Sequence, residues 1–163
     1  MGKKGAKMNE FNIFRDSILD CKNLFGKFEG LILEECGEYE FEPLRDIFEK
    51  LNPMYSGSKI VGVSKVLAHY LPNIFAPVDR TYTFQFINQK SKDISMPRNW
   101  GEMELLRDIH LKLLNPIASS EVFKKQALQW MENQNDFPWD TSIPKIIDNL
   151  IIGKLKKAGL VDE

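Results

Sequence analysis

From residue 9 onward, apolar side chains fall at helical spacing in one segment after another, and most of these runs close at a proline, an Asn-Pro or a glycine. Side chains three and four positions apart share one face of a helix with about 3.6 residues per turn. Phe11, Phe14, Ile18 and Leu24-Phe25 fall in this way and predict a first helix within residues 9–25. Pro43 is tolerated in a first helical turn and opens a second, whose stripe is Phe41, Leu44, Phe48 and Leu51. Asn52-Pro53 ends it, because the residue before a proline is pushed out of the helical region. The intervening GLILEECGEYEFE reads equally as a helix continuation or as a turn between helices.

Ser56 or Ser58 is placed to cap a helix over residues 57–71 that turns Ile60, Val63, Leu67 and Leu71 inward before Pro72. GEMELLRDIHLKLLNP predicts a helix that stops at Asn115-Pro116, and Ser119 or Ser120 then caps EVFKKQALQWMENQ. Ser142 precedes IPKIIDNLIIGKLKKAG, where Ile143, Ile147, Leu150 and Ile151 line one face and Gly159 suits the position just past the end. Leu67, Leu71, Phe75, Ile147 and Leu150 are therefore expected in the core. Thr81 to Phe86 departs from the helical pattern, since aromatic and polar residues alternate there with the period of a half-buried strand. No partner strand is evident and a lone strand leaves its backbone unsatisfied, so helix is the preferred reading. The expected fold is all-α, a compact single-domain helical bundle over residues 9–163 behind a flexible basic tail at residues 1–8.

Composition removes several classes. The hydrophobic share of 43% and the charged share of 28% are those of a globular chain rather than a disordered one. No apolar run approaches the roughly 20 residues a membrane helix needs, and the basic start MGKKGAK has no apolar segment behind it, so neither a membrane span nor a signal peptide is expected. Two cysteines, Cys21 and Cys36, form neither a disulfide framework nor a CxxC zinc motif, which predicts a reduced, cytoplasmic protein. A net charge of −1 lacks the basic excess of a domain held to nucleic acid by phosphates alone, though local basic patches remain open.

Asp79 is the residue most open to two readings. An Asp between a proline-containing loop and a helix is suited to cap that helix by accepting backbone N–H groups two or three residues on. The same carboxylate facing a cleft would orient water or stabilise a cation. Capping is the reading adopted.

Gly62-Val63-Ser64-Lys65 followed by Pro77-Val78-Asp79-Arg80 resembles the region shared by helix-hairpin-helix DNA glycosylases, in which a glycine hairpin leads into a helix and then into the catalytic carboxylate. Ser64 stands where the second hairpin glycine would be, and Arg80-Thr81 stands where that family has Thr-His. The resemblance implies Asp79 as a catalytic carboxylate and Lys65 as the nearest candidate nucleophile. Ser64-Lys65-Val66-Leu67, Leu71-Pro72, Phe75-Ala76-Pro77 and Asp79, with Ile146 to Leu150 and Gly153-Lys154 later, are similar to a group of little-characterised bacterial and phage proteins. That likeness implies a small helical domain in a phage, plasmid or defence setting.

Other constellations favour ordinary roles. His69 and His110 lie in predicted helices with no second ligand at the next turn, so no metal is expected. The acidic residues Glu34, Glu35, Glu38, Glu40, Glu42, Asp46 and Glu49 match no calcium loop and read as a solvated face. No GxxxxGK or GxGxxG occurs, and no cofactor is expected. A strand at 81–87 would let Asp79 and Asn88-Gln89-Lys90 echo a nuclease metal site, but the second acid is missing. Trp100, Trp130 and Trp139 are candidates for stacking on a base, Trp139 foremost because it lies outside a predicted helix. The leading expectation is a nucleic-acid-associated domain with DNA as partner, contacted through Lys59, Lys65, Arg80, Lys154, Lys156, Lys157 and Trp139. The alternative is a non-catalytic module that binds a protein partner.

Overall fold

The computed structural model describes residues 7–90 and 101–161. Helices dominate them, so the fold is all-α: α1 (Phe11–Phe25), α2 (Pro43–Lys50), α3 (Lys59–Tyr70), α4 (Gln85–Lys90), α5 (Glu102–Asp108), α6 (Asn115–Ala118), α7 (Glu121–Glu132) and α8 (Ile143–Lys157). Two wider π-helical turns join this set, Arg80–Phe84 running into α4 and Ile109–Leu114 bridging α5 to α6. The sheet is small: β1 (Lys7–Met8) pairs antiparallel with β2 (Met54–Ser56), Met8 opposite Met54. Residues 7 and 8 are thus paired backbone rather than part of a loose tail. Among the described residues no helix is long and apolar enough to cross a membrane. Trp100 lies outside the described residues.

One core runs through the molecule. Cys21, Leu44, Ile47, Ile60, Val63, Leu67, Leu106 and Ile147 are buried in it, and Phe28, Phe41 and Phe75 pack their rings together with that of His110. Gly62 lies inside α3 because β2 passes over it: a Cβ there would meet Met54 and come within 2.9 Å of Pro53 Cγ. The expected core needs two corrections. Leu71 is only half-buried, and Leu150 is 45% exposed. In α8 the buried residues are Pro144, Ile146, Ile147, Asp148, Ile151 and Leu155, which leaves Leu150 on the flank.

The helix ends also separate what spacing dictates from what packing decides. Ser58 occupies the N-cap position of α3, but its hydroxyl donates to the Glu102 carboxylate, which also accepts the Ile60 N–H at 3.3 Å. A carboxylate from α5 therefore does the capping. Ser120 precedes α7 without a side-chain cap bond. Gly159 ends α8 as expected, with its N–H on Lys156 O at 2.9 Å and the Leu160 N–H on Leu155 O at 3.1 Å, both carbonyls of the last turn satisfied. Asn115-Pro116 does not stop its helix. The helix widens just before it, the π turn taking the Asn115 N–H to His110 O, and Pro116, which has no N–H to place, sits in the first turn of the stretch that runs on to Ala118. The Asn115 amide then donates to Leu33 O at 2.6 Å and Cys36 O at 3.0 Å, fixing the ambiguous stretch after α1 as short 3₁₀ turns.

Candidate binding cleft

The segment from Leu71 to Asp79 leaves α3 and crosses the core, and nearly every backbone donor in it has a named partner. Ile74 and Phe75 donate to Leu71 O at 3.1 and 3.0 Å. Ala76 N–H donates to His110 Nε2 at 3.0 Å, while His110 Nδ1 lies 2.8 Å from Leu106 O, an arrangement that requires the neutral ring protonated on Nδ1. Burial pushes that imidazole from 6.5 down to about 4. Val78 N–H donates at 2.9 Å to Ser64 Oγ, which itself donates to Val61 O. The hydroxyl at position 64, a departure from the glycosylase pattern, thus ties the loop to α3.

Asp79 ends this segment as the cap of the π-helical turn. Its Oδ1 accepts from Thr81 N at 2.6 Å and Tyr82 N at 3.3 Å, and its own N–H donates to Thr83 Oγ1 at 3.0 Å. Residues 81–87 are helical, not a strand. Both faces of the alternating stretch are covered, with Thr83 and Ile87 buried and Tyr82, Phe84 and Phe86 half-buried. This turn packs on α8.

Beside the loop lies a cleft of about 380 Å³. Its apolar surface comes from Ala68, Pro72, Phe75, Pro77 and Trp139, and its polar surface from Lys65, His69, Thr141, Ser142 and Lys145. Trp139 forms the far wall with 77% of its surface exposed. The backbone beneath it is held, since Asn149 Nδ2 donates to Trp139 O at 3.3 Å and to Asp140 Oδ1 at 2.7 Å. The start of α8 offers few free amides to the cleft, because Ser142 Oγ accepts the Lys145 N–H and Pro144 has none.

Two lysines reach the cleft, and they differ. Lys145 Nζ sits 2.7 Å from Asp148 Oδ2, and Asp148 is buried. Burial raises the Asp148 pKa, the Lys145 hydrogen bond and charge oppose this, and the charges of Asp79 and Lys65 also reach it. Lys145 is therefore neutralised locally. Lys65 makes no ion pair among the described residues and is exposed. The cleft thus presents one available cation, one exposed aromatic face and an apolar floor.

The candidate residues distribute as follows. Lys65 and Trp139 share the cleft, and Asp79 stands close enough to act on Asp148. Arg80 is exposed on the turn against α8, Lys156 and Lys157 are exposed in the last turn of that helix, and Lys154 Nζ lies 6.0 Å from the centre of the Phe86 ring. Lys59 does not join them. It donates to Glu49 O at 3.1 Å and lies over the Phe48 ring, and burial lowers its pKa against the pull of Glu102 and Glu49. The acidic stretch is partly engaged, Glu34 with Lys124 at 3.4 Å and Glu38 with Arg107 at 3.3 Å. Lys145, Asp148 and Asn149 were not foreseen from the sequence. Their spacing on one helix was visible, but nothing in it shows that Asp148 is buried or that Asn149 reaches back to Trp139. No family model, curated protein or solved structure matches this chain.

Proposed function

We propose that this chain is a nucleic-acid-associated helical domain that binds DNA through the cleft between α3 and the start of α8. The observation that supports this most is the meeting of Trp139 and Lys65, distant in sequence, across one cleft with an apolar floor. A π-face and a cation lining one cleft are partners for the two parts of a nucleotide, its ring and its phosphate. Arg80 and the lysines at the end of α8 add positive charge along the neighbouring surface. The likeness to helix-hairpin-helix glycosylases and to the bacterial and phage group belongs to this proposal, which assigns binding and no reaction. Asp79, occupied as a cap, serves first to shape the loop.

Fluorescence anisotropy with labelled single-stranded and duplex oligonucleotides tests it. Binding with a Kd at or below about 100 μM that weakens as salt rises is the expected result. A flat titration for both forms overturns it. The alternative, a non-catalytic protein-interaction module, draws on Met8, Phe11 and Tyr55, which are all exposed around the β1–β2 ribbon and the start of α1. Salt-insensitive association with a protein and none with oligonucleotides favours it.

A further inference from the structure

We infer that the cleft is a site for one unpaired nucleotide of a single strand, its ring stacked on Trp139 and its phosphate on Lys65. The inference rests on the nucleic-acid reading above and narrows it.

Three features select the unpaired form. The chain carries a net charge of −1, so it lacks the cation density that would track the two backbones of a duplex. The cleft, at about 380 Å³, is small among ligand pockets, which run from about 300 Å³ upward, and suits one ring system with its sugar rather than a base pair. The aromatic face is open in advance: Trp139 is exposed while Asn149 holds its backbone, so stacking costs little reorganisation. A base inside a duplex already has both faces stacked and cannot offer one to Trp139.

The charges around the cleft set the number of phosphates. Asp148 is paired with Lys145, and Asp79, whose charge reaches Asp148, caps the Thr81 and Tyr82 N–H groups and does not line the cleft. Lys65 is left as the cation for an incoming anion, and Thr141 also lines the cleft. One phosphate contact predicts a shallow salt dependence, since each phosphate in a single strand contributes about 0.7 to the slope of log K against log salt.

The test titrates the full chain with an unlabelled short oligothymidylate, a duplex carrying the same strand, and free thymidine monophosphate, reading tryptophan fluorescence and competition against a labelled strand. The single strand is expected to quench the fluorescence and to bind at least tenfold tighter than either competitor. Trp139→Ala is expected to weaken the strand roughly ten- to hundredfold, with Trp139→Phe restoring much of the loss. Lys65→Gln is expected to lower the salt slope by about 0.7. Thermal melts of all three variants should match the wild type, since both side chains are exposed. Tighter duplex binding overturns the inference, and equal binding of the free nucleotide overturns its assignment to a strand. Strand binding untouched by Trp139→Ala places the nucleic acid elsewhere and overturns the inference while the broader proposal stands. No binding by any nucleic acid ends both.

Discussion

The cleft has two walls built on different physics. The Leu71–Asp79 wall is part of the core: Ile74, Phe75, Ala76 and Val78 are buried, and its backbone bonds run to the interior groups His110 Nε2 and Ser64 Oγ. The wall carrying Trp139 is almost wholly exposed from Asn133 to Trp139, and polar bonds near the surface hold it, from Asn149 and from the Gln134 amide to Met131 O at 2.7 Å. Hydrogen bonds that share the core open only with the whole fold, whereas exposed ones open locally at small cost. The first wall is therefore a fixed template. The second is held in place by bonds that open at smaller cost.

The sharpest way to break this comparison is acid. His110 is wholly buried, and its Nε2 must stay unprotonated to accept the Ala76 N–H. Its folded pKa of about 4 lies below the 6.5 of the free side chain, so the unfolded chain binds the proton more readily between those values. The stability it supports is complete above pH 6.5 and is lost as pH falls towards 4, on the order of 3 kcal/mol at about 1.4 kcal/mol per pH unit. Denaturant melts across that range check this, together with the His110 ring signals in NMR spectra. A ring that titrates near 6.5 in the folded protein would show that the template wall is open to water.

A smaller effect is expected at Asp79. Asp79→Ala removes the acceptor for two N–H groups and should cost about 0.5–2 kcal/mol, while Asp79→Asn keeps an acceptor and should melt close to wild type. If the Asn variant melts normally yet loses nucleic-acid binding, the carboxylate charge serves function before capping. The smallest change belongs to the other wall. Asn149→Ala should lower global stability by no more than about 1 kcal/mol while it speeds proteolysis within residues 133–142. A loss well beyond about 1 kcal/mol would mean that both walls share one cooperative unit.

The sequence by itself determined the helices, because side-chain spacing, capping residues and glycine conformations are local properties. α1, α2, α3, α7 and α8 lie where the periodicity placed them, Gly159 terminates α8, and Asp79 caps the turn that follows it. The glycosylase resemblance singled out Lys65, and a place outside any predicted helix singled out Trp139. Tertiary structure decided what each end and face would meet. Glu102 took the capping role from Ser58, a helix ran on through Pro116 after a π turn, and Leu150 fell to the flank of α8. The bonds that make the cleft, Ser64 to Val78, His110 to Ala76 and Asn149 to Trp139, span 14, 34 and 10 positions. Periodicity reports which side of its own helix a residue occupies. Which group waits opposite is set only when the helices pack.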